Sequence, residues 1–95
     1  MGDPRKTKVI RAALAKKGFI AADTHHEMFW LVVEGKKTSV RTRISHGAKE
    51  YGDELLALVA RQVGLGKQEL YRLIDCPMDG EKLKALLADR GRIRL

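Results

Sequence analysis

Cysteine, proline and aromatic residues are scarce in this chain, and the shortage excludes some classes of protein. The 95 residues include one cysteine, two prolines and three histidines, and aromatic residues make up 5% of the total. Because Cys76 is alone, the chain can form neither an internal disulfide nor a cysteine-rich metal cluster. A reducing compartment, the cytoplasm, is therefore the expected location.

Long apolar runs are also missing. None approaches the roughly 18 residues that cross a membrane as a helix, and the basic N-terminus leads into an amphipathic segment rather than a signal peptide. Hydrophobic residues make up 44% and charged residues 33% of the chain, the proportions of a folded globular protein. At this length we expect a single domain with one modest core and no membrane partner.

The net charge of +7 is unevenly distributed. Residues 1–49 hold 11 Lys and Arg against 4 Asp and Glu, whereas residues 50–95 hold 8 of each kind. All three histidines also lie in the first half. This asymmetry indicates a polyanion-binding face in the N-terminal half, with nucleic acid as the expected partner. The alternative is a protein that positive charge merely keeps in solution.

The first half is predicted to contain one helix and three strands. Asp3-Pro4 has the composition of a helix start and Gly18 that of a helix stop, with apolar residues at helical spacing between them. The runs HEMFWLVV and TSVRTRIS are typical of strands, and EGKK between them is typical of a turn. The predicted elements are a helix over 4–17 and strands over 19–22, 26–33 and 38–45.

The second half is predicted to be helical. Apolar residues recur at helical spacing from Tyr51 to Val63, and KQELYRLID forms a short third helix that Pro77 ends. Asp79 can cap a last helix that carries Leu83 on its apolar side.

Together these elements predict an α+β fold with a three-stranded antiparallel sheet. Their order is α-β-β-β-α with extra C-terminal helices, and the helices over 4–17 and 51–63 are expected to pack on one face of the sheet. Residues 1–66 are predicted to form the main domain, and residues 67–95 a helical extension packed on it.

The register of the hairpin decides which side chains face away from the helices. If Gly35-Lys36 is a two-residue turn, or EGKK a four-residue loop, Trp30 pairs with Arg41. A three-residue loop would slip the register by one residue and reverse the faces. The first register is favoured, because it points Val40 at the helices and Arg41 at water. The open face then carries His26, Met28, Trp30, Val32, Arg41 and Arg43.

This open face has the composition of an RNA-binding surface. Trp30 beside Arg41 supplies an aromatic ring and a guanidinium plane, the two groups on which unpaired bases stack. The alternative is that Trp30 belongs to the core. The predicted RNA-binding residues are Lys16, Lys17, Trp30, Lys36, Lys37, Arg41, Arg43 and His46.

The adjacent histidines suggest chemistry. With a pKa of about 6.5, a free imidazole at His26 could take the 2′-hydroxyl proton of RNA, while nearby Arg and Lys side chains stabilise the charge that develops on phosphorus. The alternative is a structural histidine at a strand edge. A metal site of His25, His26, His46 and Cys76 is not expected, because adjacent strand residues face opposite ways. No metal or cofactor is predicted.

Four motifs occur in a particular order along residues 5–65. They are KKGF after the first helix, a histidine pair that opens a strand, TSV in the hairpin, and ISHGAKEYGDELLALVARQVGL. In order and spacing they resemble the HicA toxins of bacterial and archaeal toxin–antitoxin systems. The resemblance implies a double-stranded-RNA-binding-like fold, metal-independent cleavage of mRNA by one catalytic histidine, and a HicB-like antitoxin as partner.

The resemblance leaves two catalytic candidates. Family members show Gly-Ser-His before this strand, and the matching residues here are Asp23, Thr24 and His25. They also often carry an aromatic residue three positions after the catalytic histidine, as Phe29 follows His26. Strand parity favours His26, on the open face, with His25 on the helix side. A non-catalytic RNA-binding module and a protein-interaction domain are the alternative functions.

Overall fold

The first half of the chain contains one helix and most of the strands, and the second half is mainly helical. A computed structural model describes residues 3–22, 27–45, 47–75 and 78–94. The α+β class and the three-stranded antiparallel sheet are confirmed. In chain order the elements of the described residues are β1 (Arg5–Lys6), α1 (Thr7–Lys16), β2 (Phe19–Ala21), β3 (Met28–Val33), β4 (Lys36–Arg43), β5 (Glu50–Tyr51), α2 (Asp53–Val63), α3 (Lys67–Ile74) and α4 (Gly80–Asp89).

The turn of the hairpin lies one residue earlier than predicted. Val33 pairs with Lys36, so Glu34 and Gly35 are the two turn residues, and both predicted loops, the Gly35-Lys36 turn and the four-residue EGKK loop, are wrong. The φ angles of Glu34 and Gly35 are 53° and 78°. Positive φ at both central residues is the type I′ geometry, whose twist matches that of the two flanking strands.

Beyond the turn, β4 contains a bulge. Trp30 pairs with Arg41 as predicted, but Val32 pairs with Lys37, two residues nearer the turn than the predicted register. The hydroxyl of Thr38 stabilises the irregularity, donating to the Leu31 carbonyl at 2.9 Å and accepting from the Val40 N–H at 3.1 Å. Because the insertion is an even number of residues, no side chain changes face.

The predicted faces of the hairpin are confirmed for the described residues, which do not include His26. Alternate side chains of β3 are buried, and the side chains between them are only half-buried. On β4, Val40 is buried and Arg41 and Arg43 are exposed. The three strands are ordered β2-β3-β4, with Ile20 opposite Trp30.

Both predicted N-terminal boundaries of the main helices are wrong. The first helix begins at Thr7, because β1 pairs with β5, and the Thr7 N–H donates to the Lys49 carbonyl at 2.9 Å. Lys6 occupies the capping position without a side-chain cap bond, so Asp3 does not cap the helix. Tyr51 belongs to β5, and α2 starts two residues later. The third helix and the Asp79 cap of α4 are as predicted.

The core lies between the sheet and the helices. α1 contacts β2, α2 contacts β4, and α3 packs against both helices. Each fully buried aliphatic side chain stabilises the fold by about 1.5–3 kcal/mol. No helix within the described ranges has the length and apolarity needed to cross a bilayer. The fully buried aliphatic residues include Ile10, Leu14, Leu31, Val40, Ile44 and Leu56, joined by Leu70, Leu73, Leu83 and Leu87 of α3 and α4.

Candidate nucleic-acid interface

Trp30 lies at the centre of the sheet face that points away from the helices. Directly paired residues of neighbouring strands project on the same side of a sheet. Ile20 of β2, Trp30 of β3 and Arg41 of β4 therefore form one row across all three strands. Ile20 is 47% exposed, and Trp30 is half-buried and outside the buried core. The row presents apolar and aromatic surface bordered by a guanidinium group.

Two cations lie against the indole ring of Trp30. The Nζ atom of Lys37 is 5.5 Å and the Cζ atom of Arg41 is 5.2 Å from the ring centroid. Both distances are within the range of cation–π attraction, about 6 Å. The bulge in β4 explains the position of Lys37, since the regular register would have placed Ser39 opposite Val32. We call Trp30, Lys37 and Arg41 the tryptophan cluster.

Arg43 extends the open face toward the other end of β4. Its side chain donates to Glu27 Oε1 from Nε at 3.0 Å and from Nη2 at 2.7 Å. Arg43 is thereby held beside Met28, its partner across the hairpin. In the described part of the chain, no ion pair includes Lys36, Lys37 or Arg41.

The lysines at the end of α1 lie in different environments. Lys16 is exposed, whereas Lys17 is only 5% exposed and its Nζ donates to the Met78 carbonyl at 2.6 Å. The ammonium group of Lys17 thus holds the chain just before α4 against the end of α1. It does not belong to the exposed basic surface, although the sequence had placed it there with Lys16.

Three predicted site residues lie outside the described residues: His25, His26 and His46. The described residues around the histidine pair meet at one end of the sheet. The Ala22 N–H donates to the Met28 carbonyl, and the Ile44 N–H donates to the Glu27 carbonyl, each at 2.8 Å. This is the end of the open face at which Arg43 pairs with Met28.

Resolved pKa shifts among the described residues concern ion pairs and a tyrosine around α3. Arg5 lowers the pKa of Asp75 by hydrogen bonding, and Arg90 together with the Gly66 N–H lowers the pKa of Glu69. Burial raises the pKa of Tyr71. The shifts of the two carboxylates report structural pairing.

Two arginines that the sequence reasoning missed lie beside the open face. Arg92 and Arg94 follow α4 and line a concavity with Lys36 and Lys37 of β4. The alternation Arg-Ile-Arg at 92–94 is the only signal that could have indicated them, since it has the period of an extended segment with one buried side.

No three metal-ligating side chains are grouped within the described ranges, which exclude the histidines and Cys76. The open face offers cations and an aromatic ring, a combination suited to binding a strand that carries phosphates and flat bases.

No family model matches the chain, and no match was found among curated proteins or solved structures.

Proposed function

We propose that this protein binds single-stranded RNA on the open face of its sheet. The observation that carries the proposal is the tryptophan cluster, an indole ring with Lys37 and Arg41 within 5.5 Å of its centroid on a half-exposed strand. Each group fits one part of an unpaired nucleotide. The indole and guanidinium planes stack on bases, and the charges neutralise phosphates.

The surroundings of the cluster favour this ligand. Ile20 and Val32 extend the apolar surface on either side of Trp30, so a second base has a surface to lie on. Stacking tolerates every base, because each has a π face, whereas phosphate contacts carry no sequence information. We therefore expect binding with little sequence preference and a strong dependence on salt.

Trp30→Ala tests the proposal directly. Binding of a fluorescent oligouridine of about 12 nucleotides is measured by anisotropy. One lost stacking contact of about 1–3 kcal/mol weakens the affinity by roughly five- to 150-fold, and Trp30→Phe should retain part of it. Leu58→Ala is the control, an exposed apolar residue on α2, on the far side of the sheet. Equal affinities of Trp30→Ala and the wild type would refute the proposal.

The second candidate function is cleavage of the bound RNA, as a HicA-like ribonuclease of double-stranded-RNA-binding-like fold acting on mRNA. The order of motifs supports it, as does the meeting of the residues around the histidine pair beside Arg43. The histidine would take the 2′-hydroxyl proton, and the 2′-oxygen would attack the adjacent phosphorus. The 5′-oxygen then leaves, giving a 2′,3′-cyclic phosphate, while Arg43 stabilises the developing charge.

Single substitutions distinguish the histidines. His26→Ala should abolish cleavage and any growth arrest on expression while hardly changing the melting temperature. His25→Ala should lower the melting temperature and leave cleavage by the folded fraction largely unchanged. Cleavage should persist with a chelator present, since a histidine base needs no metal. If His25 alone proves essential, the Gly-Ser-His alignment is right. If neither matters, RNA binding without catalysis is the better description. A HicB-like antitoxin and a cytoplasmic location belong to this second proposal.

A further inference from the structure

The chain after α4 is directed toward β4 by a defined helix stop. Gly91 has a φ of 74°, in the left-handed region that favours glycine. The Gly91 N–H donates to the Ala88 carbonyl at 3.0 Å, and the Arg92 N–H donates to the Leu87 carbonyl at 2.8 Å. This pair of bonds is the Schellman motif, which ends a helix and turns the chain away from its axis. Residues 92–94 therefore leave α4 in a fixed direction.

Ile93 anchors that segment. It is 7% exposed and belongs to the core cluster, whereas its neighbours Arg92 and Arg94 are exposed. A buried residue between two exposed arginines ties the backbone beside both charges to the core. The two guanidinium groups are presented by a fixed backbone.

Two adjacent concavities lie along β4 beside this segment. One concavity lies between the hairpin end and residues 91–94, and a second follows β4 toward α2. Ser39 and Arg92 line both concavities, so the two are neighbours along the strand. We call the two together the β4 channel. Its basic residues are Lys36, Lys37, Arg41, Arg43, Arg92 and Arg94.

Arg92 is positioned at the junction of the two concavities. Its Nη2 donates to the Gln62 carbonyl at 3.3 Å, and the Gln62 side chain accepts from the buried Thr42 hydroxyl at 2.7 Å. A guanidinium group carries five N–H donors, so one bond to a carbonyl orients it and leaves donors for a ligand. Gly64 makes room for it, since a Cβ there would lie 2.8 Å from Arg92 Nε.

We propose that the β4 channel holds the sugar-phosphate backbone of single-stranded RNA, with Arg92 and Arg94 forming one wall. This inference rests on the proposed function and says where on the protein the bound strand lies. Arg41 lines the channel and also stacks on Trp30, so phosphates in the channel place the attached bases over the tryptophan cluster. An acidic protein segment would match the charge but would make no use of the stacking surface. Glu34 is the carboxylate that lines the channel, at its hairpin end.

The salt dependence of binding tests the channel. Oligouridine of about 12 nucleotides is titrated between about 50 and 200 mM salt. Each phosphate contact to a single strand adds about 0.7 to the slope of log affinity against log salt, so Arg92→Ala/Arg94→Ala should lower the slope by about 1.4. Arg61→Ala/Arg72→Ala removes the same charge from exposed positions on α2 and α3 and should leave the slope unchanged.

The outcomes separate the channel from the proposed function. Trp30→Ala should weaken binding without changing the slope. If it does so while Arg92→Ala/Arg94→Ala behaves like the control, the channel assignment is overturned and RNA binding stands. If Trp30→Ala has no effect, the proposed function itself fails.

Two further measurements keep the test decisive. Arg94→Ala alone preserves the Arg92–Gln62 bond and should still lower the slope by about 0.7, which covers the case of a double variant that melts early. A polyglutamate peptide serves as the protein-like probe. If Arg92→Ala/Arg94→Ala loses the peptide but keeps the oligouridine slope, the channel belongs to an acidic protein segment and the inference is wrong.

Discussion

Basic side chains are held in two different ways in this protein. Around α3, three of them reach carboxylates: Arg5 contacts Asp75 at 2.8 Å, Lys67 contacts Asp53 at 2.8 Å, and Arg90 contacts Glu69 at 2.7 Å. On the open face, Lys37 and Arg41 lie against Trp30, and no carboxylate of the described residues forms an ion pair with them.

The difference concerns how each charge is neutralised. Arg5 joins β1 to the end of α3 with two bonds to Asp75 and also lies 4.7 Å from the centroid of the Tyr71 ring. Such a pair links elements, and its opposite charges cancel at a distance. Lys37 and Arg41 form no ion pair among the described residues, and their field extends about 8–10 Å into solvent at physiological salt. The same residue types therefore stabilise the fold in one region and are suited to attract a polyanion in the other.

The largest expected effect comes from removing two arginines of the open face. Arg41→Ala/Arg43→Ala should weaken oligouridine binding by roughly ten- to a hundredfold at low salt and lower the salt slope by about 1.4. The melting temperature should fall only slightly, because both side chains are exposed and the Arg43–Glu27 pair that is lost lies at the surface. Anisotropy titrations and thermal melts measure the two effects. Binding that ignores salt, or a variant that unfolds, would contradict the assignment of these residues.

The next largest effect lies around α3. Arg5→Ala removes the two bonds to Asp75 and the contact with Tyr71, which together should lower the free energy of unfolding by about 1–2 kcal/mol. For a domain of this size, each kcal/mol corresponds to roughly 4–8 °C in melting temperature. Arg5→Lys keeps the charge but loses the two-pronged guanidinium contact with Asp75, so its stability should lie between those of Arg5→Ala and the wild type. The affinity for oligouridine should stay the same. A loss of affinity comparable to that of Arg41→Ala/Arg43→Ala would contradict the distinction between the ion pairs around α3 and the cations of the open face.

A smaller gain in stability is expected at the hairpin turn. Glu34 adopts a φ of 53°, and asparagine tolerates this left-handed conformation better, particularly before glycine in a type I′ turn. Glu34→Asn should raise the free energy of unfolding by about 0.5–1 kcal/mol. It also removes the carboxylate at the end of the β4 channel, so oligouridine should bind slightly more tightly. Glu54→Gln, at the start of α2, is the control, because it removes a charge without affecting the hairpin turn. Equal melting temperatures of the two variants would exclude backbone strain at Glu34.

The smallest effect is the pH dependence of stability. The pKa of Glu69 and that of Asp75 are lowered in the folded state by hydrogen bonds from arginines. Their stabilisation is present above the ordinary carboxyl pKa values of about 4 and is lost as the pH falls through the lower folded values. The urea concentration at the unfolding midpoint should therefore decrease as the pH is lowered from about 5 to about 3. Glu69→Gln/Asp75→Asn should flatten this dependence, and an unchanged profile would show that other groups cause it.

Local sequence patterns were sufficient to predict the sheet faces but not the long-range contacts. Strict alternation on β4 assigned Val40 and Arg41 to opposite faces, because strand periodicity is set by the backbone alone. The Asp3-Pro4 start signal was overridden by pairing of β1 with β5, more than 40 residues away along the chain. Lys17 was misplaced for the same reason, since its carbonyl partner belongs to Met78.

The turn and the bulge were missed because each depends on an unusual local choice. Glutamate is uncommon at positive φ, so nothing in EGKK favoured Glu34 over Lys36 as a turn residue. In the bulge the Thr38 hydroxyl accepts from the Val40 N–H on its own strand and donates to the Leu31 carbonyl, and the second contact exists only once the strands have paired. At the candidate site, the sequence predicted the Trp30–Arg41 pair, but it could not predict Lys37 at the ring, which requires that bulge.

The bulge in β4 also bears on self-association. β4 lies at the edge of the three-stranded sheet, and a regular edge strand offers a row of backbone groups to which a second molecule can add its own strand, a first step toward aggregates. Two inserted residues interrupt that row near its middle. Basic side chains on both sides of the interruption repel an identical edge. The irregularity that brings Lys37 to Trp30 therefore also opposes association of two molecules through their β4 edges.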